Sequence, residues 1–303
     1  MKLDAEFAAY LASETQIGVR RSVPLASLTA MHVGGEADYV LSPRDTGALL
    51  RLLDRLPEAG LPFRILGNGT NIIAPDEGFA GIVVLTGRLD RISRSDTTLR
   101  LGAGVLLPRA ANAAREAGLS GLEELYGIPG TVGGALVMNA GAYGREISDT
   151  LSSVTLYDPR SREVSVCRRS DLSFSYRFSS IAAEGLVVLS AVFELTPSDS
   201  ITVADRMHAV SIMRSERQPM GYPSAGCIFR RTETGESAGK LISSVGLAGR
   251  RLGGAEISEK HAGFIINRGG ATAAEIRALA EEARLTVFEK TGIKLAYEVE
   301  FLS

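Results

Sequence analysis

The sequence predicts an α+β fold built from three successive modules, and three patterns predict it. A leucine-rich amphipathic stretch over 44–59 alternates with short strand-like runs near the start of the chain. A middle stretch then carries four short β-patterned runs, broken by turns and by a single helix. Last comes a long helical pattern over 271–291, followed by a strictly alternating segment. With 303 residues the chain has room for two or three separate cores.

Taken in order, "MKLDAEFAAYLASETQ" carries acids throughout and lacks an unbroken apolar core, so it reads as a docking helix rather than an export signal, with Phe7, Tyr10 and Leu11 at helical spacing. In "PRDTGALLRLLDRLPE" (44–59), leucines 49, 50, 52, 53 and 56 follow the cap candidates Asp45 and Thr46. "FRIL" (63–66) and "GIVVL" (81–85) read as strands joined through the turn "GNGTN". The middle module offers "TLRLGAG" (98–104), "SVTLYD" (153–158), "EVSVCR" (163–168) and "LVVLSAVFEL" (186–195), with a helix at 107–117. A helix from about 201 to 216 leads into the third module. There Ile276, Leu279, Ala283, Val287 and Phe288 are expected along one face of the long helix, and "KLAYEVEF" (294–301) is expected to be a strand.

Bulk composition removes several classes of function. Hydrophobic residues make up 45% and charged residues 22%, as in ordinary soluble domains. The net charge of −2 comes without a basic stripe, which argues against nucleic acid as a partner. The longest apolar run, 186–193, is far too short to span a bilayer, so no membrane partner is expected. Two cysteines, Cys167 and Cys227, make no disulfide framework and suit a reducing cytoplasm. His32, His208 and His261 form no pair at metal-binding spacing, so no metal is expected. The Gly-Lys of 235–243 has its glycines too close together for a P-loop, and no nucleophile elbow occurs.

Two glycine clusters stand apart. "LGNGTNI" (66–72) follows a strand directly. Its glycines permit positive φ and close backbone approach, and successive N–H groups there can form an anion-binding nest. "GIPGTVGGALVMNAGAYG" (127–144) holds six glycines, with Thr131 and Asn139 as short polar residues. It is too apolar for disorder and too glycine-rich to pack a core alone. It is expected to be a long functional loop.

These blocks occur in one order along residues 19 to 302: "HVGGEAD" (32–38), "LGNGTNI", "GIPGTVGGALVMNAGAYG", "YR" (176–177), "PSAGCIF" (223–229), "AGKLI" (238–242), "KHAGFIIN" (260–267) and "YEVEF" (297–301). Together they resemble the UDP-N-acetylenolpyruvoylglucosamine reductases, the MurB-type family, in its shorter form without the tyrosine-bearing insertion. The resemblance implies an FAD-binding fold of the vanillyl-alcohol-oxidase/PCMH kind, in two α+β subdomains, plus a C-terminal α+β substrate domain. The expected division is 1–86 and 87–218 for the FAD-binding subdomains (PCMH-type region about 33–198) and 219–303 for the substrate domain. It implies FAD and NADPH as cofactors, a sugar-nucleotide substrate, and no obligate protein partner.

The resemblance also implies roles for individual residues. Gly67, Asn68, Gly69, Thr70 and Asn71 would cradle the diphosphate of FAD. Pro129, Gly130, Thr131, Gly133, Gly134, Asn139 and Gly141 would run close to the cofactor. Arg177 matches the family's active-site arginine, and a guanidinium clamps a carboxylate through paired hydrogen bonds at any working pH. Glu298 matches a catalytic glutamate; periodicity alone does not choose it over Glu300, which shares its strand face. Arg217 aligns with a basic residue that contacts the substrate's diphosphate.

Cys227 stands where the family usually carries a serine proton donor. As a lone cysteine it reads as packing. In this position its thiol, with an ordinary pKa of about 8.5, is still mostly protonated at neutral pH and more acidic than a hydroxyl. Cys167 is expected only to pack, and Lys240 and His261 carry no assigned chemistry. Two other readings are a flavin oxidase, which has no need of this proton donor, and a silent sugar-nucleotide binder, which has no need of intact glycine loops.

Overall fold

The computed structural model describes residues 3–303, which divide into two compact units. Among the described residues, unit 1 comprises 3–21, 39–68 and 81–213. Unit 2 comprises residues 22–38, 69–80 and 214–303, so it takes in two segments that sequence order assigns to the first module.

In unit 1 the expected elements form where the patterns put them. Asp4 caps the helix Ala5–Ser13, whose Phe7 and Leu11 are buried. Asp45 caps Thr46–Arg55 by accepting from the Ala48 N–H at 2.8 Å, satisfying one of the donors every helix start leaves open. Leu49, Leu52 and Leu53 of that helix are buried. They pack in one core with Ile82, Val84 and Tyr157, whose hydroxyl donates to Asp54. The parallel pair Phe63–Leu66 and Phe79–Leu85 lies at one edge of a four-stranded sheet. A second, antiparallel sheet runs in the order Glu163–Arg168, Leu151–Asp158, Val187–Glu194, Thr98–Gly102, Ile92–Ser95. Its inward residues Leu99, Leu101, Val154, Leu156 and Phe193 share a core with the helix Leu107–Glu116.

The glycine run 127–144 is not simply a loop. It contains the helix Val132–Met138, started by Thr131 and ended by Asn139 in a left-handed conformation. The apolar residues Val132, Ala135 and Leu136 have a core to enter, and that burial outweighs the low helix propensity of the two glycines.

Unit 2 is built on the sheet Ser224–Cys227, Phe264–Asn267, Ala255–Ile257, Arg251–Leu252. The helix Ala273–Thr291 packs on it, opened by a Thr272/Glu275 capping box and closed by Gly292 at φ +74°. Two expectations fail here. Phe288 is 44% exposed, because it falls one residue beyond the buried face Ile276, Leu279, Ala283, Val287; Lys294 Nζ lies 5.9 Å from its ring. "KLAYEVEF" is not one strand. Tyr297 bridges to Phe229, whereas only Glu300–Phe301 pairs, in parallel, with Ile72–Ile73. The change of partner breaks the ladder, although Leu295 and Val299 remain buried as the alternation requires.

Candidate active site

In unit 1 the two glycine clusters meet. Asn68 Nδ2 donates to the Pro129 carbonyl at 2.7 Å. A β-carbon on Gly67 would stand 2.3 Å from Thr131 Oγ1, closer than any real contact, so this approach requires glycine. Thr131 is buried and stiff, and its hydroxyl caps the helix by accepting from the Gly134 N–H at 3.3 Å. The Gly130 carbonyl accepts from Leu107, while Val132 and Gly133 donate to the carbonyls of Val105 and Ala103. Gly134 differs from its neighbours: it is exposed, and a β-carbon there would meet Thr131 Oγ1 at an ordinary 3.5 Å.

Asn139 is fully buried at the far end of that helix. Its Nδ2 donates to Glu146 Oε2 at 2.6 Å and to the Ser175 carbonyl at 3.0 Å, and its Oδ1 has no partner. Ser175 opens the turn of a small hairpin, Phe174–Ser175 with Phe178–Ser179, whose two turn residues are Tyr176 and Arg177. Arg177 is half-buried and holds φ +54°. Its guanidinium reaches the Gly141 carbonyl at 3.4 Å and lies 5.0 Å from the Tyr176 ring. So Arg177 joins Asn139 and Gly141, which precede it by 38 and 36 residues, in one cluster. Gly141 itself is required by its own hairpin, where a β-carbon would strike the Arg145 carbonyl at 2.2 Å.

In unit 2 Cys227 ends its strand, opposite Phe264 and just after a bulge at Gly226 with φ +78°. It is half-buried and lies outside the apolar core cluster, whereas its neighbours Ile228 and Phe229 are deep within it. The Glu298 N–H donates to the Ile228 carbonyl at 2.8 Å, so Cys227 and Glu298 sit on directly bonded segments. Glu298 is half-buried and Glu300 exposed, a distinction that strand periodicity does not make.

Gly69, at φ +58°, is a glycine because the Leu28 carbonyl would lie 2.1 Å from its β-carbon. Asn71 donates from Nδ2 to the Glu298 carbonyl at 3.0 Å. Among the described residues, no protein acceptor takes the N–H of Asn68, Gly69 or Thr70. Arg217, exposed at the end of the helix Ser200–Arg217, has no ion-pair partner among the described residues.

Two residues left without chemistry find different places. Lys240 is exposed. His261 packs against Gly239 and Gly263, accepts the Gly263 N–H at Nδ1 (3.1 Å), and stands edge-on to Phe264. Burial pushes its imidazole below the ordinary histidine range. Sequence reading missed the supporting groups Glu146 and Ser175, whose partners lie 7 and 36 residues away. No local pattern signals such pairs. Cys167 lies against the unit 1 core, as a packing residue should.

Comparison with known proteins bears on the whole chain. The UDP-N-acetylenolpyruvoylglucosamine reductase C-terminal domain matches residues 218–302, and an FAD binding domain matches residues 37–166. A UDP-N-acetylenolpyruvoylglucosamine reductase of Latilactobacillus sakei subsp. sakei is 39% identical over 97% of this chain and 96% of its own length. That of Geobacillus kaustophilus is 41% identical over 94% of this chain and 93% of its own. The crystal structure of the Thermus caldophilus enzyme superposes with a TM-score of 0.80 at 34% identity, covering 95% of this chain and all of that one. The fold is therefore α+β, an FAD-binding domain of the PCMH kind followed by the reductase C-terminal domain. On identity sustained along nearly its full length, the protein belongs to the UDP-N-acetylenolpyruvoylglucosamine reductase family.

Proposed function

We propose that this protein is an NADPH-dependent flavoenzyme that reduces UDP-N-acetylglucosamine enolpyruvate to UDP-N-acetylmuramate for peptidoglycan synthesis. The observation that carries this reading is the identity of about 40% to reductases of that name over nearly the entire chain. The residues present fit FAD. A buried acceptor, Asn139 Oδ1, lacks a donor, and loop N–H groups lack protein acceptors. The backbone of Gly67 to Asn71 would hold the diphosphate, with Pro129, Gly130, Thr131, Gly133, Gly134, Asn139 and Gly141 lining the cofactor. The functional division is 1–86 and 87–218 for the cofactor and 219–303 for the substrate.

When bound, FAD supplies a hydride, taken from NADPH, to the terminal carbon of the substrate's vinyl ether. This chain's residues do the rest. As the hydride arrives, negative charge develops on the adjacent carbon and spreads into the carboxylate. The Arg177 guanidinium pairs with that carboxylate, and the Glu298 carboxyl orders the developing enolate. Cys227 Sγ gives its proton to the adjacent carbon, which completes the saturated lactyl ether. Arg217 takes the nucleotide's diphosphate. Among the described residues no helix is long and apolar enough to cross a membrane. We place the reaction in the cytoplasm, with its nucleotide substrate, and assign it no obligate protein partner.

An anaerobic flavin spectrum tests the reading. NADPH should bleach the flavin band, and UDP-N-acetylglucosamine enolpyruvate should restore it. Bleaching without recovery would discard the substrate, and no flavin signal even after adding FAD would discard the enzyme.

A further inference from the structure

Both backbone polar groups of Glu298 are held. Its N–H donates to the Ile228 carbonyl at 2.8 Å, and its carbonyl accepts from Asn71 Nδ2 at 3.0 Å. The same asparagine accepts the Glu300 N–H at its own carbonyl, at 2.9 Å. One residue thus brackets the segment 298–300 from both ends. The parallel pairing of Ile72–Ile73 with Glu300–Phe301 continues that attachment. Val299, between the two bonds, is 5% exposed and plugs into the core, so its neighbours must point the other way.

This arrangement needs asparagine. Aspartate would set a carboxylate oxygen against the Glu298 carbonyl, and alanine would leave that carbonyl without its donor. We propose that Asn71 is a positioning residue for Glu298. Its side-chain amide fixes the backbone from which the carboxyl projects, on the segment bonded next to Cys227, and this is its task rather than contact with the cofactor. The proposal rests on the reading that Glu298 acts in the reaction.

The test uses the FAD-loaded enzyme and follows the two half-reactions separately, in Asn71→Ala, the isosteric Asn71→Asp, Glu298→Gln, and the double variant Asn71→Ala/Glu298→Gln. Flavin content and the rate of bleaching by NADPH should stay within about twofold of wild type. Recovery of the flavin band on adding substrate should slow by about 10- to 100-fold in both Asn71 variants, the scale of a misplacement near 1 Å, with KM little changed. In the double variant it should be no slower than in Glu298→Gln alone. Lost flavin or slowed bleaching in Asn71→Ala and Asn71→Asp would overturn the proposal by returning the side chain to the cofactor. Losses that multiply in the double variant would overturn it too, while leaving Glu298 in its role. A Glu298→Gln variant as fast as wild type would instead overturn the catalytic reading, and the positioning role with it.

Discussion

Arg177 in unit 1 and the pair Cys227 and Glu298 in unit 2 are held by different means. Arg177 stands on a two-residue turn at φ +54°, a conformation that costs a residue with a side chain about 1–2 kcal/mol. Its guanidinium reaches the Gly141 carbonyl oxygen and lies against the Tyr176 ring. Cys227 ends a strand, and Glu298 lies on a segment tied by a main-chain bond to Ile228, the residue after Cys227. Between Arg177 and Cys227 the difference follows from side-chain length. A guanidinium on a long stem is placed by what its tip touches, and its charge tolerates small displacements. A thiol one bond from the β-carbon goes wherever its backbone goes, so a proton donor of this kind demands a rigid strand.

The largest expected effect lies on the rigid side. Cys227→Ala should slow recovery of the flavin band on substrate addition by about 10² to 10⁴, while Cys227→Ser should retain most of the rate, since a hydroxyl on the same backbone also donates a proton. Stopped-flow measurement of the two variants decides the matter, and an alanine variant as fast as wild type would remove Cys227 from the chemistry.

A smaller effect is expected where the glycine clusters meet. Gly67→Ala forces a methyl against Thr131 Oγ1 and displaces the hydroxyl that caps Val132–Met138. Overpacking of this kind costs about 1–3 kcal/mol, so the melting temperature and flavin affinity should both fall. In a Thr131→Ala background the same change should cost less, because the obstructing atom is gone. Equal losses in the two backgrounds would show that Thr131 is not what demands glycine at 67.

The smallest effect concerns pH. Neutral His261 accepts the Gly263 N–H beside the strand that pairs with Cys227. Burial holds its folded-state pKa below the unfolded value. The unfolded chain therefore binds the proton more readily. Stability from this group is full above about pH 6.5, the ordinary histidine value, and is lost as the pH falls from there through the lowered folded-state pKa. His261→Gln should flatten that part of the curve of melting temperature against pH. An unchanged slope would assign the acid sensitivity to other groups.

What the sequence determined by itself was local or combinatorial. The helix start at Asp45, the buried leucines 49, 52 and 53, and the four strands of the middle module follow from periodicity and capping, which act within a few residues. The family is legible because eight motifs keep their order. Tertiary structure decided the rest. Periodicity leaves Glu298 and Glu300 equivalent, and only the changing partners of segment 294–301 make the first half-buried and the second exposed. The glycine run reads as a loop until a core exists for Val132 and Leu136 to enter. Asn71 reads as part of the loop expected to cradle the FAD diphosphate, and its side chain acquires a partner only when Glu298, 227 positions away, supplies the carbonyl its amide needs. Pairings at that separation depend on how far each segment can bury its apolar side chains, a property of the packed chain and not of any local stretch.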